Sequence, residues 1–458
     1  MRTLLAYLTV APSALLVSLF VSSPVFAADL PYKDGDFGCF TQADADRYVN
    51  DFSVDLDSFG GLELCDPAKD TKKLLNDLSL IEKSQFSADA SHNLIRGLVP
   101  YNNYYNWMKG ETRGMQRGND VPYATAYNSG GYFTMQDGWA ALATLGRVGT
   151  VIHEARHTEG YIHYPCTHGP YAGSETAGCD TSYEEGGSHA VEMEYYTRVA
   201  LDAKNLHPVY QSMARLMALG RANFVFNVSP IKAREALLGM AGDHMVLVDG
   251  KNVYDRQTPP AAAGAVLKRT SYGAALVKGT DSVAVDLYGL TSNNAVISDD
   301  YSYYKLFKTA RANGPQSVSA IEEIDLNNLR YFAVLGEQGK VYSYDFPNGA
   351  WHQASSGLSG AQTFVTRAPD GTAGLYVVKT DGSVVPFDLA NRRFSPALRD
   401  KWESDTRAFA MNASILVKLT ADGKVLNAAT GAPVDGFASR QVTDLVNVPL
   451  YDAYEVAH

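Results

Sequence analysis

The chain has 458 residues, with 39 Lys or Arg against 50 Asp or Glu, and its formal net charge at pH 7 is -11. This acidic balance argues against nucleic acid and anionic membrane surfaces as partners. The length exceeds one ordinary hydrophobic core, so two or three domains are expected.

Residues 1–27 are predicted to form a secretory signal peptide. Arg2 is the only charged residue there, an apolar stretch follows over 4–21, and Val25 and Ala27 precede the expected cleavage site. A membrane anchor is the alternative, but Pro12 and the cleavage pattern argue against it. We therefore expect a soluble protein, secreted or periplasmic, with no membrane partner after signal cleavage.

The mature chain keeps four cysteines: Cys39, Cys65, Cys166 and Cys179. An even number in an exported chain indicates two disulfides. Sequence neighbourhood favours the pairs 39–65 and 166–179, although four cysteines allow three pairings. In the alternative reading, Cys166 is a zinc ligand.

Helical periodicity marks several segments of the first half of the chain. Residues 68–97 are predicted to be helical, and so are residues 139–158, 183–203 and 209–224. The buried stripe of the second of these helices is expected to contain four apolar residues, namely Leu142, Leu145, Val148 and Ile152.

The most informative motif lies at the end of that helix and has the form H-E-x-x-H-x-x-G-x-x-H. His153 and His157, four residues apart, share one helix face and can bind one metal ion. Gly160 can end the helix, so that His163 returns as a third ligand. Three protein ligands and an open water position are the arrangement of catalytic zinc. We therefore expect one Zn²⁺ per chain.

The run resembles the signature of the zincin metallopeptidases, and its extended form resembles that of the metzincins. The resemblance implies that Glu154 is the general base that takes a proton from a zinc-activated water. It also implies a strand beside the helix, with Tyr132–Met135 as the candidate, whose free edge holds an extended substrate. Metzincins carry a methionine turn beneath the metal, whereas the nearest candidate here, Met193, lies in a helical stretch.

A second pattern competes for the third ligand. The segment 178–183 partly resembles the aspzincin signature, which implies Asp180 as the metal ligand and Tyr183 as the donor to the oxyanion. Gly178 stands one position nearer the aspartate than in that family. Gluzincins suggest a third option, in which the ligand is one of three glutamates: Glu184, Glu185 or Glu192. His168 and His189 are candidates for substrate contacts or for orienting a ligand, or are ordinary polar histidines.

After about residue 242, short β-type runs around glycine turns replace the helical pattern. Residues 335–351 and 378–394 align without gaps at an offset of 43 residues, with Gly339 matching Gly382. Each unit predicts a hairpin, and a repeat near 40 residues resembles β-propeller blades, of which four or five would fit. A β-sandwich with similar hairpins is the alternative.

The sequence thus predicts a multidomain protein. A signal peptide (1–27) precedes an α+β, mostly helical, zincin-like catalytic domain (28–241) and an all-β, propeller-like repeat domain (242–458). The predicted function is an exported zinc peptidase acting on a peptide or protein substrate. The alternatives are a non-enzymatic secreted binding protein, with a metal-stabilised scaffold and a recognition propeller, and a zinc hydrolase of other substrates. The intact Glu154 favours an enzyme.

Overall fold

The computed structural model describes residues 37–86, 92–121, 124–167, 171–172, 178–203, 206, 208–258, 264–270, 272–278, 281–288, 297–298, 314–317, 319–326, 329–345, 350–389 and 391–454. The predicted signal peptide and His168 lie outside these residues. Within them the chain forms seven α-helices and 25 β-strands in many small sheets, which makes the protein multidomain and α+β. None of the described helices is both long and apolar enough to span a bilayer.

The seven helices precede the long run of strands. They are α1 (Gln42–Phe52), α2 (Asp70–Lys83), α3 (Tyr104–Glu111), α4 (Asp137–Ala140), α5 (Thr144–Thr158), α6 (Ser188–Asp202) and α7 (Pro208–Phe224). The helix predicted over 68–97 ends at Lys83. The one predicted over 139–158 is divided, and Leu142, which lies between α4 and α5, is 37% exposed rather than part of the buried stripe.

Helix α5 occupies the centre of the helical region. It packs against α2, α3 and α6, and Leu145, Val148 and Ile152 are fully buried as predicted. Burial of each such side chain contributes roughly 1.5–3 kcal/mol to folding. The polar end of α5, which carries the histidines, is thereby held on a rigid support.

Two three-stranded sheets flank the helices. The first has the order β1 (Gly114–Arg117), β3 (Tyr132–Met135), β2 (Ala126–Ser129). Because β3 is paired on both sides, the prediction that it offers a free edge to substrate is wrong, and the edge strand that contacts α5 is β2. The second has the order β4 (Tyr164–Pro165), β5 (Gly178–Ser182), β6 (Phe226–Val228). This region is therefore α+β rather than mostly helical.

Both predicted disulfides are confirmed: Cys39 pairs with Cys65, and Cys166 pairs with Cys179. The second bridge links the residue after β4 to the second residue of β5. Since its sulfur is in this bridge, Cys166 is not available as a zinc ligand.

The remaining strands form five antiparallel sheets in chain order. The first contains β7 (Ala233–Ala241), β8 (His244–Asp249) and β9 (Asn252–Gln257). The second sheet contains β10 (Val266–Thr270), β11 (Gly273–Lys278), β12 (Asp281–Val285) and β13 (Ile297–Ser298). The third contains β14 (Ala320–Leu326), β15 (Leu329–Leu335), β16 (Val341–Asp345) and β17 (Ala350–Gln353). The fourth contains β18 (Ala361–Arg367), β19 (Ala373–Lys379), β20 (Val384–Asp388) and β21 (Arg393–Phe394). The last contains β22 (Thr406–Asn412), β23 (Ile415–Thr420) and β24 (Val425–Asn427).

The repeated hairpins predicted from the sequence are present. Gly339 and Gly382 both lie in the turn that joins the second and third strands of their sheets, with φ of +68° and +77°. These left-handed backbone angles explain why glycine recurs there.

The final strand, β25 (Asp444–Tyr451), returns to the first sheet and pairs with β7 along its whole length. Strand β7 lies before the boundary predicted at residue 242, so the sheet begins ahead of that boundary. Neighbouring sheets stack, as β8 shows: Met245 and Leu247 belong to one buried cluster, and Val246 and Val248 belong to another.

Candidate metal centre

The histidines of the motif converge as the spacing predicted. His153 and His157 lie one turn apart on α5, and Gly160, with φ of +91°, ends the helix in the left-handed region. The Nε2 atom of His153 is 2.9 Å from that of His163 and 3.2 Å from that of His157. Around a tetrahedral zinc with bonds of 2.0–2.1 Å, ligand nitrogens lie about 3.3 Å apart. His153 therefore has the spacing of a zinc ligand relative to both of the other histidines, whose ring centroids are 4.7 Å apart.

The opposite ring nitrogens face acceptors. The Nδ1 atom of His157 is 2.6 Å from the carbonyl oxygen of Tyr161, and that of His163 is 3.2 Å from Oδ1 of Asp180. His153 Nδ1 lies 3.4 Å from Oε2 of Glu192. Carbonyl and ionised carboxylate oxygens only accept, so the contacts of His157 and His163 assign their ring protons to Nδ1 and leave the Nε2 lone pairs free. Histidines that bind metals are oriented in this way. The contact of His153 with Glu192 is an ion-pair distance without a well-aligned hydrogen bond.

Burial keeps these imidazoles neutral. It lowers the pKa of His153 well below the usual value, and it lowers the pKa of His157 as well. For His163, burial outweighs the opposing hydrogen bond with Asp180 and lowers the pKa to about 4. Neutral rings at pH 7 are the form that a cation requires.

Asp180 supports His163 from β5. While Oδ1 faces His163, Oδ2 accepts from the backbone nitrogens of His189 (3.0 Å) and Ala190 (3.2 Å) in the first turn of α6. Burial opposes ionisation, but the contacts with His163 and His189 hold its pKa below the usual value. A Cβ at Gly187 would lie 2.5 Å from Oδ2, so a glycine there lets the carboxylate cap the helix.

His189 supplies a fourth imidazole. Its ring stacks on that of His163 with centroids 4.6 Å apart, and its centroid is 4.5 Å from that of His153. Ligand atoms of these three histidines lie within 4.8 Å of one another. Its Nε2 is 3.0 Å from the carbonyl oxygen of Gly178. The structure thus brings together two overlapping histidine triads, and spacing along the sequence indicated only the first.

Glu154 is buried next to His153, and one of its carboxyl oxygens accepts no hydrogen bond from the described residues. It is 4% exposed, and its Oε2 has no hydrogen-bond partner in the described part of the chain. Burial, followed by the nearby charge of Glu192, raises its pKa to about 8. Its backbone oxygen accepts from the side chain of Asn128 at 2.5 Å, which ties α5 to β2. A buried carboxyl that makes no structural hydrogen bond is typical of a functional group.

Other predicted residues lie elsewhere. The hydroxyl of Tyr183 donates to the carbonyl oxygen of Leu94 at 2.7 Å, within the core. Glu184 and Glu185 are exposed. Met193 is fully buried within α6 and forms no turn.

No family model matches the chain, and no curated protein matches it. Among solved structures, the chain overlaps AztD of Citrobacter koseri with 17% identity and a TM-score of 0.21, over 49% of this chain and 63% of that one. Apo AztD from the same organism gives 19% identity and the same TM-score, over 49% of this chain and 64% of that one. BBS1N in complex with ARL6DN gives 15% identity and a TM-score of 0.21, over 46% of this chain and 63% of that one. The chain therefore covers less than two thirds of each, and TM-scores this low transfer neither fold nor function.

Proposed function

We propose that the protein is an exported zinc-dependent peptidase with Glu154 as its general base. One observation carries this proposal: the Nε2 atom of His153 lies within 3.2 Å of those of His157 and His163, and the residue after His153 is Glu154, a buried carboxyl whose Oε2 has no hydrogen-bond partner among the described residues. A purely structural metal site has no need of such a carboxyl. Two disulfides fit an oxidising compartment.

The three histidines would hold the ion through Nε2, each oriented by its own Nδ1 acceptor. A bound zinc ion would polarise the scissile carbonyl and lower the pKa of a water molecule to about 7. The pKa of Glu154 is about 8 without an ion, and the charge of a bound zinc ion would lower it, because a nearby cation favours the carboxylate. The ionised Glu154 would then accept a proton from that water and donate it to the leaving amine. Because its carboxyl is buried, the proton is held away from bulk solvent between these two transfers.

A peptide substrate has a suitable strand to bind. Strand β2 contacts α5, and among the described strands it pairs with β3 alone, so an extended peptide can add to its other edge. Tyr183 stays a sequence prediction for the oxyanion donor. The proposal does not depend on it, since its hydroxyl already has the Leu94 carbonyl as a partner.

For the second half of the chain we propose a five-bladed β-propeller closed by β25. The strands β25, β10, β14, β18 and β22, one from each sheet, contact one another in succession and return to the first. All five line one cavity of about 200 Å³. A final strand that completes the first sheet would close such a ring without a free edge.

A second candidate function is metal binding without turnover. The position of His189 favours it: the ligand atoms of His153, His163 and His189 lie within 4.8 Å of one another, and His189 as an additional ligand would occupy the position that a catalytic water needs. Replacing single histidines separates the candidates. His157→Ala should abolish zinc binding if the peptidase proposal is correct, whereas His189→Ala should leave one zinc per chain.

Glu154→Gln tests the proposed chemistry. We expect this variant to keep its zinc and to lose peptide hydrolysis by about 10²- to 10⁴-fold, because it removes the proton carrier but no ligand. Glu159→Gln, at the end of the same helix, is the matched control, since Glu159 bonds Trp107 and Arg156 instead. The readouts are elemental analysis and chelator-sensitive cleavage of a broad peptide library. Equal cleavage by Glu154→Gln and wild type would refute the assignment of the base.

A further inference from the structure

A single buried carboxylate joins three helices at the histidine cluster. Glu192 lies on α6 and is 1% exposed. Its Oε1 accepts from the hydroxyl of Tyr196 at 2.9 Å and from Nε of Arg221, on α7, at 2.9 Å. Its Oε2 faces Nδ1 of His153, on α5, at 3.4 Å and Nδ1 of His189 at 3.6 Å.

The two oxygens of Glu192 are used differently. Oε1 has two donors, whereas Oε2 makes no well-aligned hydrogen bond to any described residue although it is buried. A buried acceptor without a donor is unfavourable, so Oε2 favours whichever neighbouring ring can turn a proton toward it. His153 can do so only with its proton on Nδ1, and this tautomer points the Nε2 lone pair at His157 and His163.

From this geometry we infer that Glu192 is a positioning residue that sets the ring orientation and tautomer of His153. The inference rests on the proposed function to the extent that His153 is a zinc ligand. Its contact is with Nδ1 of His153, and the proposed zinc ligand atom is Nε2, so Glu192 would act through His153 and not on substrate.

A glycine in α5 supports the inference independently. Gly149 lies one turn before His153, and a Cβ there would be 1.7 Å from the hydroxyl of Tyr196 and 2.7 Å from Oε1 of Glu192. Glycine within a helix is unfavourable compared with alanine. Gly149 has no Cβ, and the hydrogen-bonded pair Glu192 and Tyr196 packs against α5 in the space that a Cβ would fill.

A neighbouring carboxylate provides a matched control. Glu194, two residues along α6, is fully buried and contacts Arg198 at 3.2 Å. It also accepts from the backbone nitrogens of the segment 96–98 and makes no hydrogen bond or ion pair with the histidines. Glu192 and Glu194 are therefore both buried glutamates on α6, but only Glu192 contacts His153 and His189.

The test compares Glu192→Gln with Glu194→Gln in the full mature chain. Zinc affinity is measured by competition with a chromophoric chelator, and the tautomer of His153 is read from ¹⁵N shifts of the metal-free protein. We expect Glu192→Gln to bind zinc about 10- to 100-fold more weakly and to lose the Nδ1-protonated form. Glu194→Gln should keep both properties even if it is less stable. The conservative change Glu192→Asp should restore part of the affinity.

Unchanged zinc affinity and an unchanged tautomer in Glu192→Gln would overturn the inference. If that variant does not fold, Glu192→Asp is compared with Glu194→Asp in the same two assays, with the same order of effects expected. Neither readout uses peptide cleavage. A wild-type protein that binds zinc but cleaves no peptide would therefore refute the peptidase proposal and leave the role of Glu192 to be decided by these measurements.

Discussion

Gly149→Ala separates helix propensity from packing at the centre of the molecule. Propensity alone predicts that alanine stabilises α5 by about 0.8–1 kcal/mol. The new Cβ would, however, lie 1.7 Å from the hydroxyl and 2.5 Å from Cζ of Tyr196. Overpacking of this kind costs about 1–3 kcal/mol. Displacement of the Tyr196 hydrogen bond to the Glu192 carboxylate adds about 1.5–3 kcal/mol, so we expect a net loss of about 1.5–5 kcal/mol.

The assay is urea unfolding of metal-free protein, with Gly146→Ala as the control in the same helix. A Cβ at Gly146 would come no nearer than 3.3 Å, to Cβ of Leu142, so a shift of a few tenths of an ångström in this exposed residue relieves the contact. That variant should be as stable as wild type or slightly more stable. If Gly149→Ala is also as stable as wild type, the packing argument and the close approach of Glu192 to α5 are both refuted.

Three further predictions follow from the cluster and its supports. Removing the bridge between Cys166 and Cys179, which are 13 residues apart in sequence, should lower the free energy of unfolding by about 3 kcal/mol in the chain-entropy model. It should also weaken zinc binding, because the bridge holds the segment that follows His163. Equal zinc affinity with and without the bridge, measured by chelator competition, would contradict this link between the bridge and the zinc site. The pKa of His163 is about 4 in the folded protein and 6.5 ordinarily, so between pH 4 and 6.5 the unfolded chain binds more protons than the folded one. The free energy of unfolding of the metal-free protein should therefore fall by on the order of 3 kcal/mol as the pH drops from 6.5 to 4. A stability that does not change with pH in calorimetry would refute this. Tyr183→Phe should cost about 1 kcal/mol through the lost hydrogen bond to the Leu94 carbonyl. Turnover should be unchanged if that bond is the only role of the hydroxyl, whereas a large loss of turnover would support the predicted role of Tyr183 as the oxyanion donor.

Local spacing made much of the candidate site predictable. The i, i+4 histidines and the helix-ending Gly160 are features of one helix and its exit, so they could be placed without knowing the rest of the fold. The two cysteine pairs were equally accessible, because each joins segments that are near in sequence. Glycine turns in the second half likewise indicated antiparallel hairpins.

What the sequence could not show depends on contacts between distant segments. The order of β1, β3 and β2 places β3 in the middle of its sheet, and no pattern within Tyr132–Met135 reports that pairing. The first β-rich sheet begins at β7 because β25, some 200 residues later, pairs with it. The proximity of His189 to the first triad arises because Asp180 caps α6, which is a tertiary contact.

Anomalous diffraction at the zinc edge, from crystals of the zinc-loaded mature protein, tests the central claim most directly. The account predicts one peak per chain, about 2.0–2.1 Å from the Nε2 atoms of His153, His157 and His163. The peak should leave Glu154 and His189 outside the ligand set. No peak at the cluster would contradict the account, and so would a peak bound by His153, His163 and His189 with His157 turned away.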